Sequence, residues 1–399
     1  MLMGIDALLN DHAALRELQA KRVGLLAHPA SVSKTLEHSV DRLLAAKVNV
    51  TAAFGPQHGL RGDKQDNMVE SDDFVDARYG IPVFSLYGQS RRLTPTMLEH
   101  FDVLLIDLQD LGCRIYTFLT TVRYMLEDCG AAGKSVWVLD RPNPAGRPVE
   151  GLALRPGQES FVGSGRLVMR HSLTLGEAAL WFMRELNLST DCRVIQMQGW
   201  QPHAGPEYGW PQSRSWVNPS PNAQTLSMAR AYAGTVMLEG TTLSEGRGTT
   251  RALELMGAPD LPMEALLNDM QRLAPQWMQG VGIRPVYFEP TFHKHVHQLC
   301  SGMQWHLDGD FYQPNVFKPW RLMALFFKAI RRWRADYPLW RDFPYEYETN
   351  RLAIDVINGG SELRQWVDDS HATVADLEHG LHIDETAWRQ EMRDFYLYA

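Results

Sequence analysis

Five short apolar runs alternate with helix-like segments through the first 145 residues, and this alternation constrains the fold more than any other feature. The runs are "RVGLLAH" (22–28), "VNVTAAF" (48–54), "IPVFSLY" (81–87), "DVLLIDL" (102–108) and "SVWVLD" (135–140). Such runs suit strands buried on both faces of a parallel sheet. Between them, "SKTLEHSVDRLLAAK", "TPTMLEHF" and "YTFLTTVRYMLEDCGAAG" read as helices, the second with Thr94 as N-cap and Pro95 in its first turn. Strand–helix alternation builds βαβ units, and so predicts an α/β fold with a Rossmann-like, doubly wound parallel sheet. "TLGEAALWFMRELN" opens on a Thr174-x-x-Glu177 capping box, and "CRVIQMQGW" reads as a further strand. "GWPQSRSWVNPSPN" (209–222) is too rich in Pro, Ser and Asn to be regular and reads as a domain junction or binding loop. Beyond it, a helical "TLSMARAYAGTVML", strand-like "PVYFEPTF" and "GMQWHL" and a helical "WRLMALFFKAIRRWRA" predict a second unit. The expected organisation is a Rossmann-like domain over 1–220 and a smaller mixed α/β auxiliary domain over 221–399.

In an open α/β sheet, ligands bind outside the carboxyl ends of the strands. Each predicted strand here runs into polar residues at that end. His28 follows the first; Gln57, His58 and Arg61 the second; Tyr87 and Gln89 the third. Gln109, Asp110 and Arg114 follow the fourth, and Asp140, Arg141 and Asn143 the fifth. Single residues in such places commonly cap helices or tie loops, but five polar strand ends on one rim predict a polar cleft.

Composition narrows the chemistry. The formal net charge is −8 with both signs interspersed, which argues against a nucleic-acid partner and gives no anchor to an anionic membrane. No run of about 18 apolar residues is present to span a bilayer. The cysteines Cys113, Cys129, Cys192 and Cys300 are far apart and read as reduced thiols. With an N-terminus that reads as an amphipathic helix and not as a signal peptide, the expectation is a cytoplasmic protein. No GxGxxG, Walker loop or GxSxG elbow follows a strand, so no cofactor is expected.

Two further patterns carry chemistry. "LEGTTLSEGRGTTR" sets Glu239 and Glu245 beside Arg247 and Arg251 on a tight loop, where they form an ion-paired brace or supply catalytic carboxylates. "FHKHVHQ" would turn His293, His295 and His297 to one face if it were a strand. No carboxylate is spaced close by as a dedicated metal site requires, and none is predicted.

In order along the chain stand "GLLAHPASV", "FGPQHGLRGDKQDNMVESDD", "PVFSLYG", "LIDLQDLGCRIYTF", "VLDRPNPAGRPVEG", "MRHSLTLGE", "WVNPSPN", "LEGTTLSEGRGTTR" and "VYFEPTF". Together these resemble the NamZ-type exo-β-N-acetylmuramidase family over about residues 4 to 310. The resemblance implies an active site in the cleft between the two domains and release of N-acetylmuramic acid from the non-reducing ends of peptidoglycan fragments. The partner it implies is a small amino-sugar or muropeptide substrate. It also implies the candidate site. Glu239 and Glu245, then Glu70, are the first choices for catalytic carboxylates, with Asp110 and Glu150 also on the cleft. Arg61, Arg114 and Arg170 are candidates to pair with the lactyl carboxylate of muramic acid, since a guanidinium fork matches a carboxylate. Gln57, His58, Asp140, Asn143 and His171 complete the expected binding set, and Trp200, Trp210 or Trp216 would stack on the sugar. The family commonly has Glu where this chain has Gln57, and an amide does not exchange a proton as a carboxyl does. The acid is therefore expected from another loop, and a non-catalytic muropeptide-binding protein is the alternative reading. A hydrolase or transferase of some other carboxylated metabolite is a third.

Overall fold

The structure, a computed structural model, describes residues 1–64, 68–205 and 208–398. In chain order its strands are β1 (Arg22–Ala27), β2 (Asn49–Gly55), β3 (Phe74–Val75), β4 (Pro82–Ser85), β5 (Val103–Asp107), β6 (Ser135–Leu139), β7 (Glu150–Ala153), β8 (Val168–Arg170), β9 (Cys192–Ile195), β10 (Leu255–Ala258), β11 (Gly282–Phe288) and β12 (Cys300–His306). The large sheet has the order β3-β4-β2-β1-β5-β6-β9 and is parallel except for the short edge strand β3. From β1 the chain winds outward through β2 and β4, then returns to the other side of β1 for β5, β6 and β9. The topological switch point therefore lies between β1 and β5.

Alternation along the strands explains the two-sided burial. Leu26, Leu104, Ile106, Val136 and Val138 share one core with the helices Phe118–Ala131 and Leu175–Glu185. Their neighbours Val23, Leu25, Val103, Leu105 and Trp137 enter a second core with the N-terminal helices Gly4–Asn10 and His12–Gln19. A period of two on strands covered on both faces requires this division.

Local chemistry adjusts the predicted helices. The N-terminal helix breaks at Asp11, whose carboxylate accepts from the backbone of Ala13 and Ala14, both at 3.0 Å, and starts a second helix. The helix expected over 33–47 forms only over Ser39–Ala45. Ser33 Oγ accepts from the Thr35 backbone at 3.3 Å, and Leu36 adopts φ 63°, so a side-chain-supported turn replaces the first helical turns. The Thr94 and Thr174 caps form as expected.

The second half centres on the antiparallel sheet β10-β12-β11 and the helices Met263–Leu273 and Pro319–Trp333, the latter buried from Pro319 to Ile330. The pair β7–β8 and the helix Val374–Glu391 lie between the halves, and the chain end returns to the first sheet. There the Tyr398 hydroxyl donates to Asp140 Oδ2 at 2.6 Å and the Leu397 N–H to Glu177 Oε1 at 2.8 Å. No helix among the described residues is long and apolar enough to cross a membrane. The four cysteines are unpaired.

Candidate active site

The crevice at the switch point is filled by the protein itself. His28 Nε2 accepts from the Gln109 N–H at 2.9 Å, while Nδ1 meets the Pro219 carbonyl at 3.0 Å. Beside it Arg141 pairs with Asp107 at 2.5 Å. Burial lowers the His28 pKa to about 3, so the ring is neutral near pH 7.

The open pocket lies one strand over, at the end of β2. After Gly55 the chain turns sharply, with the Gly59 N–H donating to the Pro56 carbonyl at 2.8 Å and both His58 and Gly59 at positive φ. A Cβ on Gly55 would sit 2.4 Å from the Leu60 nitrogen, so this turn requires glycine. The turn aims Gln57 inward, where it is 7% exposed. Thr117 Oγ1, beyond β5, donates to Gln57 Oε1 at 2.8 Å, and Gln57 Nε2 donates to Glu346 Oε1 at 3.1 Å. The Tyr87 hydroxyl, beyond β4, donates to Glu346 Oε2 at 2.7 Å. Polar residues from three strand ends thus meet, directly or through Gln57, on one carboxyl of the second half.

Glu346 is held unusually. Glu346 and Tyr347 have φ of 48° and 69°, inside a tight turn closed by mutual backbone hydrogen bonds of Tyr345 and Glu348. A turn with positive φ at both centres normally takes Asn or Gly. A non-glycine residue in this region costs about 1–3 kcal/mol, and such strain collects at functional sites. Burial raises the Glu346 pKa, helped by Glu239 and opposed by the Tyr87 hydrogen bond, the Arg91 charge and Gln57.

The second carboxylate of the pocket, Glu239, lies on the short turn Val236–Gly240. It accepts from Arg247 Nη2 at 2.6 Å and from the Tyr345 hydroxyl at 2.7 Å. Around the two acids stand Gln57, His58, Thr117, Ser220, Asn222 and Tyr232, in a narrow space of about 480 Å³ including its opening to solvent.

The pocket gathers only some of the expected residues. Gln57, His58 and Glu239 line it. Glu245 does not: it is fully buried and pairs with Lys294 at 2.8 Å, Arg247 at 3.1 Å and His293 at 3.3 Å. Burial alone would raise its pKa, but these three neighbours hold it well below the usual carboxylate range. It is the brace of the loop. Glu70 is exposed and accepts from the Tyr347 hydroxyl at 3.0 Å, one residue from Glu346 but outside the pocket.

The guanidiniums expected to meet a substrate carboxylate lie elsewhere. Arg61 is 62% exposed and stacks over Phe74 at 4.2 Å. Arg114 donates to the carbonyls of Leu152, Leu167 and Asn358 at 2.8, 2.8 and 2.6 Å, and Arg170 to those of Phe317 and Ala145 at 3.2 and 2.5 Å. Both are buried structural ties. Glu150 accepts from the backbone of Trp320 and Arg321 at 3.3 and 2.9 Å and caps the Pro319–Trp333 helix. Asp140 accepts from Thr174, Gly176 and Tyr398 at 2.6–2.9 Å, and burial together with Glu177 raises its pKa to about 6. Asn143 ties Leu173 to Ala145. Asp110 accepts from the Gly112 N–H at 2.6 Å, and His171 stands 3.7 Å from it. Trp200, Trp210 and Trp216 lie outside the pocket, whose aromatic side chains are Tyr116, Tyr232 and Tyr345. The three histidines sit in turns, each at positive φ, with separate partners in Glu245, the Thr242 carbonyl and Glu289. Among the described residues no cluster of three or more His, Cys, Asp or Glu is placed to hold a metal ion.

Comparison with known proteins agrees with this architecture. Residues 23–227 match the N-terminal part, and residues 230–398 the C-terminal part, of the family described as exo-beta-N-acetylmuramidase NamZ. The peptidoglycan beta-N-acetylmuramidase NamZ of Bacillus subtilis (strain 168) is 40% identical over 304 residues, covering 75% of this chain and 71% of that protein. A DUF1343 family protein of Bacteroides fragilis superposes with a TM-score of 0.85 at 28% identity, over 100% of this chain and 99% of that one. A second from the same organism, at 22% identity and TM-score 0.75, covers 100% and 98% and shares the fold. The chain belongs to the NamZ exo-β-N-acetylmuramidase family.

Proposed function

We propose that the protein is a glycosidase that releases N-acetylmuramic acid from the non-reducing end of peptidoglycan fragments, with Glu346 as proton donor and Glu239 as its anionic partner. The pocket lies between a Rossmann-like part over 1–220 and an auxiliary part over 221–399. One observation carries the reading: two buried carboxyls line a single pocket, in contrasting surroundings. Glycoside hydrolysis needs such a contrast, because one carboxyl must arrive protonated and the other must face a developing positive charge. Glu346 accepts one hydrogen bond on each oxygen, so a lone pair remains to carry a proton. Burial shifts its pKa upward, the direction that favours the protonated form. Glu239 is ion-paired with Arg247, and the carboxylate faces the sugar as nucleophile, base or electrostatic partner. Gln57 positions Glu346, and His58 meets a sugar hydroxyl. Glu245 holds Arg247, and Glu70 steadies the Glu346–Tyr347 turn from outside. The acetylmuramidase named in Bacillus subtilis supports the substrate class.

Turnover of a muramyl disaccharide and its reaction products test the reading: free N-acetylmuramic acid from the non-reducing end supports it, and an intact disaccharide refutes it. The Gln57 amide favours the second reading, a muropeptide-binding protein, which the same assay would leave with bound and uncleaved substrate. Unpaired cysteines support a cytoplasmic site of action, and disulfides in protein isolated from its source would refute that.

A further inference from the structure

A muramyl ring carries a lactyl carboxylate, and its recognition calls for a cation that is not already neutralised. Arg247 lines the pocket but is shared between Glu239 at 2.6 Å and Glu245 at 3.1 Å. Arg61, Arg114 and Arg170 are placed elsewhere, as described above. Arg91, on the loop after β4, differs from all of these. Its guanidinium lies over the rings of Tyr347, Phe161 and Tyr87 at 4.3, 4.4 and 5.2 Å. Its ion-pair contact among the described residues is Glu346, at 3.9 Å, beyond hydrogen-bond reach. Its side chain is 24% exposed, and no hydrogen bond ties it to another described residue. Arg91 and its three rings do not line the pocket themselves, but Glu346, the carboxyl Arg91 faces, does, and so does Val162, the neighbour of Phe161.

Three rings around a guanidinium hold its plane by cation–π contact while leaving its N–H donors unused. A fork held in this way is ready for a bidentate carboxylate. We propose that Arg91 recognises the lactyl carboxylate of the muramyl ring, an assignment that rests on the muramidase reading. Engagement of Arg91 then fixes the ring with its anomeric carbon toward Glu346 and Glu239, and substrates without the lactyl group lose this anchor.

The test is calorimetric binding of N-acetylmuramic acid and of its lactyl methyl ester, which lacks only the charge, to the full-length protein. Wild type should bind the acid about 10- to 100-fold more tightly than the ester, the range for one hydrogen-bonded charge. Arg91→Met should bind both with the ester's affinity. Arg91→Lys, which keeps the charge and loses the fork, should fall between, and its folding guards against a collapsed Met variant. An undiminished preference for the acid in Arg91→Met, or no preference in wild type, overturns the proposal. The two readings separate cleanly. Wild type that binds with the preference but does not cleave muramyl disaccharides refutes the glycosidase and leaves Arg91 standing. Cleavage with an Arg91→Met preference equal to wild type refutes Arg91 alone.

Discussion

Replacing Arg114 by Met separates a structural tie from a substrate ligand. Arg114 is 1% exposed and donates to four carbonyls, two at 2.8 Å on either side of the β7–β8 pair and two, at 2.6 and 3.4 Å, at the end of the Ala353–Asn358 helix. A cation there satisfies carbonyls that the helix itself leaves open. Gly359, at φ 74°, ends that helix, and a Cβ on it would lie 3.0 Å from Arg114 Nη2. Burial lowers the guanidinium pKa from 12.5 to about 10. That shift corresponds to about 3 kcal/mol against folding at neutral pH. The three short bonds contribute about 1.5–3 kcal/mol each. The tie therefore stabilises by about 1.5–6 kcal/mol net, and Arg114→Met should lose that amount in urea unfolding followed by circular dichroism. Both ionisation constants lie far above 7, so the loss should be flat from pH 6 to 8. KM for a muramyl substrate should not change. Full stability with a raised KM would refute the structural assignment and restore Arg114 as a ligand.

Glu245→Gln should destabilise by about 3–5 kcal/mol in the same unfolding assay, because it leaves Lys294 and Arg247 buried beside a neutral group; a loss below 1 kcal/mol would remove the brace from the account. The His28 pKa is depressed when folded, so its contribution is complete above about pH 6.5 and is lost as pH falls toward about 3. His28→Gln should flatten that part of the stability–pH curve, and an unchanged acid slope would contradict it. Gln57→Glu puts a second carboxyl where an amide now lies 3.1 Å from Glu346, and like charges that close raise the pKa of the pair. The alkaline limb of the kcat/KM profile should move to higher pH, and a shift to lower pH would contradict the placement.

Much of the first half is legible in sequence because long-range packing and local pattern agree there. The continuous apolar runs of β1, β2, β5 and β6 are what a doubly covered sheet demands, and Thr94 and Thr174 act locally. β7, β8 and β10 are too short for a period to register, and the 33–47 pattern gives no hint that Ser33 would build a turn. The polar rim points to the right end of the sheet, yet it mixes two kinds of residue. Gln57 and His58 face a pocket; Asp140, Asn143 and Arg114 are buried and hydrogen-bonded within the protein, Asp140 to Thr174, Tyr398 and the Gly176 backbone, Asn143 and Arg114 to backbone. Both kinds place polar side chains after a strand, so spacing does not divide them. Glu346 had no signal at all. It lies 289 residues from Gln57, in "FPYEYETN", on a turn whose positive φ values would ordinarily be announced by Asn or Gly. Tertiary contacts hold that turn against its local preference, and only the folded chain reveals it.

The most direct measurement of the central claim is turnover by wild type, Glu346→Gln and Glu239→Gln on two muramic acid glycosides, one with a sugar leaving group and one with an acidic nitrophenol. A sugar alkoxide leaves only with a proton, whereas a nitrophenolate leaves without one. Glu346→Gln should therefore lose about 10²- to 10⁴-fold on the disaccharide and far less on the aryl glycoside. Its alkaline limb, where wild-type activity falls as Glu346 ionises, should disappear. Glu239→Gln should lose activity on both substrates. Wild-type turnover of the disaccharide by Glu346→Gln, or an equal loss on both glycosides, would contradict Glu346 as the proton donor.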